Sequence, residues 1–244
     1  LAGTEEMYWA VTEYHADAGI EVTASHNPID FNGMKMVKMH SKPLETNRDL
    51  KKIRDMAEKG KWIDSLQKGK EFDVSKQARE KYVNKVLSFI NVKKLKALKV
   101  LVNCGNGAVG PTFESILKRL EDLQSNVQFS LILQKPDHNF PFGVPNPLLV
   151  ENQEITMRAI RGKDVDVGVA FDGDFDRCFF FDELGQFIPG EYIVGLLAES
   201  FLKKFCSGFF IKTQNINIEQ QTIPGLIQDS VDESQKKGLP DALI

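Results

Sequence analysis

An α/β fold is the class this sequence predicts, on three observations. Short β-branched runs alternate with segments of helical periodicity along most of the chain. Its 244 residues suffice for one large domain or two ordinary ones. Its composition, 42% hydrophobic and 27% charged, is that of a globular protein with a packed core.

The elements follow in order. Gly19 to Thr23 has the character of a strand, ended by Asn27-Pro28, because proline fixes its own φ and drives its predecessor out of the helical region. Met34-Lys35-Met36 alternates as a strand does, which sets Lys35 opposite two apolar side chains and toward the side of Ser25. Asp49 to Lys59 places Leu50, Ile53 and Ala57 at helical spacing, with Gly60 as a C-terminal cap. Val83, Val86, Leu87 and Ile90 mark a second amphipathic helix. Lys99 to Asn103 reads as a buried strand, followed by a glycine-rich turn and a helix from about Pro111 to Leu123. Phe129 to Leu133 is a strand, and a proline-rich loop runs from Pro136 to Pro147. Ile155 to Ile160 reads as a short helix, and Val165 to Phe171 and Cys178 to Asp182 as two strands. Tyr192 to Phe205 puts Ile193, Leu196, Leu197 and Phe201 on one helix face, with Lys203 and Lys204 well placed near its C-terminus. After Phe205 the character changes to a Gln- and Asn-rich stretch, 214–223, and a weakly patterned polar one, 229–243. Domain breaks are expected around Asn91 to Ala97 and near Gly185 to Gly190.

A net charge of −3 argues against nucleic-acid or membrane-surface partners. No apolar run approaches the ~20 residues of a membrane span, and Glu5-Glu6 is wrong for a signal peptide. Cys104, Cys178 and Cys206 form an odd, scattered set that fits a reducing cytoplasm better than a disulfide framework or a zinc site. Cys104 and Cys178 lie in apolar runs and read as core residues. The chain begins with Leu1 rather than Met and opens almost at a motif, as a fragment of a longer protein would.

Two loops carry the chemistry. Ser25 stands where a strand ends and a turn begins, with its hydroxyl presented by the loop Thr23-Ala24-Ser25-His26-Asn27-Pro28-Ile29. In Asp172-Gly173-Asp174-Phe175-Asp176-Arg177, three alternating carboxylates follow a strand-like run, where they can converge on one hard divalent cation. A solvated acidic turn is the plainer reading. An EF-hand is rejected, because Arg177 occupies the position that loop reserves for glycine and strands flank it. Arg177 offers a fork for a phosphate group, or a salt bridge to a neighbouring aspartate. A loop serine with a three-carboxylate loop is what metal-assisted phosphoryl transfer through a phosphoserine requires.

Other motifs weigh less. Gly105-Asn106-Gly107-Ala108-Val109-Gly110 matches a dinucleotide fingerprint, so a nicotinamide-dependent oxidoreductase is a competitor. The acidic residue that fingerprint needs about twenty positions on is missing from the next strand's end, and the glycines read as a tight strand-to-helix turn. Lys35 is by default a solvent-facing lysine. His26 and His15 are bases by type, but adjacency to Ser25 is no argument for His26, since neighbours on an extended segment point apart.

Taken together, Thr23-Ala24-Ser25-His26-Asn27-Pro28, Asn32-Gly33-Met34-Lys35 and Asp172-Gly173-Asp174-Phe175-Asp176-Arg177 resemble the α-D-phosphohexomutase family, in its bacterial phosphomannomutase/phosphoglucomutase branch. The resemblance covers roughly Leu1 to Phe205. It implies domains with mixed sheets flanked by helices, truncated relative to a four-domain family. Residues 1–94 would be the C-terminal part of the first domain, 95–186 the second, and 187–244 the start of a third followed by a divergent tail. By resemblance, Ser25 is the phosphorylated serine, and its phosphate with Asp172, Asp174 and Asp176 holds Mg²⁺. Arg177 contacts the phosphorylated substrate, and Lys35 and His26 assist, Lys35 as a candidate for proton transfer. The implied reaction interconverts a hexose 6-phosphate and its 1-phosphate through a hexose bisphosphate in the cytoplasm, with the hexose left open among mannose, glucose and glucosamine. Because the sugar-recognition loop and the C-terminal phosphate-binding domain of the family have no counterpart here, the expected turnover of this chain alone is weak or nil. A remnant that only binds Mg²⁺ is the alternative.

Overall fold

The computed structural model describes residues 1–60 and 68–205. Trp62, Cys206 and the stretches 214–223 and 229–243 lie outside them. Two compact units divide at Ile188/Pro189. In the first, helix α1 (Thr4–Glu13) precedes a small antiparallel sheet of β1 (Ala18–Val22), β2 (Met34–Lys38) and β3 (Lys42–Pro43), paired in that order. Helices α2 (Lys51–Glu58) and α3 (Ser75–Leu87) follow. Then come β4 (Lys99–Asn103), α4 (Val109–Asp122), β5 (Gln128–Ile132), α5 (Val150–Ile160), β6 (Val167–Phe171), β7 (Cys178–Phe181) and β8 (Phe187–Ile188). The five later strands make a mixed sheet in the order β5-β4-β6-β7-β8. β5, β4 and β6 pair parallel, whereas β6 with β7 and β7 with β8 pair antiparallel, so the fold is α/β with mixed sheets. The described part of the second unit is α6 (Gly190–Phe205).

Alternation along the mixed sheet builds two core layers. Val102 is fully buried and packs with Cys104, Val109, Phe113 and Phe175 on the α4 side. Leu101 points the other way and packs with Ile160 of α5, Ala170 and Phe181. Helix α3 docks on α4 through Val83, Leu87 and Leu120. At the end of β4, Asn103 Nδ2 donates to the buried Thr156 Oγ1 at 2.9 Å, and Asn103 Oδ1 accepts the Gly105 amide at 2.9 Å. One amide side chain thereby braces the turn into α4 against α5.

Several boundaries differ from the sequence reading. The sequence reading assigns no element to helix α1; Met7 and Val11 lie against Gly19 of β1 while Trp9 meets Tyr82 of α3, so its apolar side chains are divided between two neighbours. Helix α4 starts at Val109, ahead of Pro111, because a first-turn residue has no intrahelical acceptor for its N–H and proline costs nothing there. Helix α5 starts at Val150 rather than Ile155. Ile90 lies beyond α3 and is exposed, while Val92 takes the buried position beside Leu87. Strand β5 stops at Ile132 because Leu133 turns to φ +47°. Helix α2 forms where Leu50, Ile53 and Ala57 predict it, but none of its residues is buried. Cys178 is exposed rather than in the core. In β7, Phe179 and Phe181 face α5, so period-two alternation turns Cys178 to the opposite side.

Candidate active site

The serine loop joins β1 to β2, and the aspartate loop joins β6 to β7. Ser25 itself adopts φ +54°, a left-handed conformation uncommon outside glycine, in a tight turn ahead of Asn27-Pro28. That turn brings neighbouring side chains to the same side. His26 Nδ1 lies 3.2 Å from Ser25 Oγ, which the extended-segment expectation did not foresee. Ser25 Oγ donates to Asp172 Oδ2 at 3.1 Å across 147 positions of sequence.

Asp172 is fully buried at the end of β6. Its Oδ2 also accepts Arg177 Nη2 at 2.6 Å and Nε at 2.9 Å, while Oδ1 accepts the Arg177 amide at 3.2 Å. Arg177 Nη2 stands 3.5 Å from Ser25 Oγ, so the guanidinium spans the aspartate and the serine. Burial pushes the Asp172 carboxyl above its ordinary range, only partly offset by the hydrogen bonds and charge of Arg177.

Asp174 is buried as well. Its Oδ2 accepts three donors: Lys35 Nζ at 2.8 Å, Thr4 Oγ1 at 2.9 Å and Thr23 Oγ1 at 3.1 Å. Its Oδ1 is buried without a partner. Burial alone would raise this carboxyl, but the bonds from Lys35 and Thr4 outweigh it and leave Asp174 below the usual carboxylate range. Lys35 Nζ also bridges to the more exposed Asp176. Burial works against the Lys35 ammonium, yet its bonds to both aspartates prevail and raise it above the ordinary lysine value. In this arrangement Lys35 holds a proton rather than accepting one.

The donor set fits a divalent cation. Asp172, Asp174 and Asp176 each offer an oxygen within 4.8 Å of the others, with the unpartnered Asp174 Oδ1 among the buried groups. Negative charge accumulates further out: burial and then Asp176 raise the Glu5 carboxyl, and burial and then Asp174 raise that of Glu21. One lysine and one arginine face this crowd of carboxylates, a balance a cation would complete.

The glycine-rich turn after β4 supports the aspartate loop. The Ala108 amide donates to the Gly173 carbonyl at 2.9 Å, and a Cβ on Gly107 would stand 2.7 Å from that oxygen. Close backbone approach thus accounts for the fingerprint without a dinucleotide. The sequence reading assigned Ser25, His26, Lys35, Asp172, Asp174, Asp176 and Arg177 to the site, and all seven lie on these two loops or at the start of β2. It missed Thr4 and Thr23; Thr23 stands in the serine motif, but nothing local marks Thr4. His15 is not among the groups that contact the serine or the aspartates. Among the described residues, no helix is long and apolar enough to cross a membrane.

Comparison with known proteins agrees in kind. The model of phosphoglucomutase/phosphomannomutase alpha/beta/alpha domain I matches residues 1–64, and that of domain II matches residues 80–185. A phosphomannomutase of Salmonella montevideo is 47% identical over 206 residues, covering 84% of this chain and 45% of the relative. A phosphomannomutase of Escherichia coli K12 is 46% identical over the same shares of the two chains. The crystal structure of a phosphoglucomutase/phosphomannomutase family protein from Burkholderia thailandensis matches with a TM-score of 0.71 at 26% identity, over 84% of this chain and 43% of that one. The chain spans about half the length of the curated relatives it matches. The two matched domains together take in most of the sequence and contain both loops, and on that ground the chain belongs to the phosphoglucomutase/phosphomannomutase family.

Proposed function

We propose that this chain carries the phosphoserine and cation machinery of a phosphomannomutase-type enzyme, which interconverts mannose 6-phosphate and mannose 1-phosphate, or the glucose equivalents. The observation that carries it is the Ser25 hydroxyl, 3.1 Å from a buried aspartate of a three-carboxylate cluster and within reach of Arg177. Residues 1–94 would belong to the C-terminal part of the first domain of such an enzyme, 95–186 to the second, and 187–244 to the beginning of a third followed by a divergent tail.

Ser25 is the phosphoryl carrier. In the first step the hexose hydroxyl attacks phosphorus, the bond from phosphorus to Ser25 Oγ breaks, and the hydroxyl proton ends on the serine oxygen. The bound hexose bisphosphate then turns and returns its other phosphoryl group to Ser25 by the reverse exchange. Mg²⁺, held by Asp172, Asp174 and Asp176, would supply charge neutralisation at the moving phosphoryl group. Arg177, anchored on Asp172 by Nε and Nη2 and reaching toward Ser25 Oγ with Nη2, would contact the phosphorylated substrate, and His26 beside Oγ limits the rotamers open to the serine. Lys35, protonated between Asp174 and Asp176, adds positive charge and is the candidate to relay the proton, giving one to the serine oxygen as it takes up the one the hexose hydroxyl loses.

Intact-protein mass after incubation with Mg²⁺ and a hexose bisphosphate tests the reading, beside a Ser25→Ala control. A gain of one phosphoryl group in the parent, absent in the control, is the expected result. Folded protein that gains nothing would leave a cation-binding remnant and overturn the enzyme.

A further inference from the structure

We infer that Thr4 and Thr23 are positioning residues for the cation site: by occupying Asp174 Oδ2 they leave Oδ1 as the one oxygen this aspartate presents to a metal. The inference rests on the cation reading above and adds to it two residues outside the carboxylate cluster. Asp174 Oδ2 accepts both threonine hydroxyls and the Lys35 ammonium, whereas Oδ1 is buried and unpartnered. A carboxylate with one oxygen saturated by donors is held in a single rotamer and would offer a metal its other oxygen. Outer partners of this kind tune affinity by fixing the ligand before the metal arrives.

Thr4 is placed to do this rigidly. It is fully buried at the start of α1, and its amide donates to the Asp174 carbonyl at 3.2 Å, so backbone and side chain grip the same aspartate. A Cβ on the preceding Gly3 would stand 2.2 Å from the Phe175 ring, so the helix start can seat this closely only with glycine there. Two hydrogen bonds at one residue brace α1: buried Glu6 accepts Thr112 Oγ1 of α4 and Arg79 Nη2 of α3, the latter at 3.4 Å. Thr23 has a second duty. Its Oγ1 accepts the Ser25 amide at 2.8 Å while donating to Asp174, so one hydroxyl ties the serine turn to the metal ligand.

The test is Mn²⁺ binding followed by the electron paramagnetic resonance of free Mn²⁺, with Mg²⁺ as competitor, on the full chain. Parent, Thr4→Val, Thr4→Ser and Thr23→Val are compared, and thermal melts establish that each is folded. Thr4→Val and Thr23→Val should each weaken Mn²⁺ binding by about tenfold or more, and Thr4→Ser should return it close to the parent. A folded Thr4→Val with parental affinity would overturn the inference, as would a Thr4→Ser no better than Thr4→Val, since packing of the methyl group would then be the cause. If Thr4→Val does not fold, Thr23→Val decides: undiminished affinity there overturns the inference, and a tenfold loss supports it. Parent protein that binds no Mn²⁺ would remove the cation reading itself, whereas parental binding unchanged in the variants removes only the role of the threonines.

Discussion

Gly173 lies so close to Ser25 that a Cβ on it would stand 2.5 Å from the serine's carbonyl oxygen. The aspartate loop and the serine loop therefore meet backbone to backbone, with the Ser25 hydroxyl on one side and the carboxylates flanking Gly173, Asp172 and Asp174, on the other. Gly173→Ala must push the loops apart. It should cost about 1–3 kcal/mol in urea denaturation, as overpacking does, and lower phosphoserine formation by at least tenfold in the mass assay. Parental behaviour in both assays would mean that the loops tolerate separation.

Asp172 depends on Arg177. Both Nε and Nη2 of the guanidinium donate to one oxygen of a fully buried carboxylate. Arg177→Ala leaves that charge uncompensated and should destabilise the fold by about 3 kcal/mol. Adding Asp172→Asn should recover part of the loss, because the orphaned charge is gone. A double-mutant cycle by denaturant unfolding measures the coupling, and strict additivity would show that the pair does not interact.

Phe181 anchors the opposite layer. It is fully buried, pairs in register with Gly168, and packs against Ile160 of α5. Phe181→Ala should cost about 3–5 kcal/mol in chemical denaturation. A loss under 1 kcal/mol would indicate that the α5 layer collapses onto the space.

Tyr82 gives the protein an alkaline limit. It stacks edge-on with Trp9 at 5.7 Å, and burial, followed by the charges of Glu6 and Glu5, pushes its hydroxyl up to about 12. An acid whose value is raised by folding favours the native state while protonated. The stability it contributes is present below the ordinary tyrosine value near 10 and is lost as pH rises toward 12. Circular dichroism from pH 9 to 12 should show a loss of stability that Tyr82→Phe reduces. An unchanged alkaline profile in that variant would rule Tyr82 out as its source.

Much of the candidate site was legible because its chemistry sits where regular patterns stop. Asn27-Pro28 breaks a strand, and three alternating aspartates follow another, so residue type and local punctuation marked both loops. His26 was legible only as a residue type. Its contact with Ser25 arises from the left-handed turn at φ +54°, and no periodicity rule foretells that. Thr4 lies 170 positions from Asp174 in sequence, so no window of residues could link them. The exposed Cys178 shows the same limit, since an apolar run does not say which face of its strand will be covered.

The sequence by itself determined the alternation of strands and helices, the two loops and the kinds of group they carry, because hydrophobic period and turn chemistry are local properties. Only the tertiary structure decided which oxygen of Asp174 stays unpartnered, that Lys35 reaches two aspartates, and that α1 props the site from behind. Those outcomes depend on how elements far apart in the chain pack. A hydrogen bond is made or lost over a fraction of an ångström, which packing sets and residue order does not.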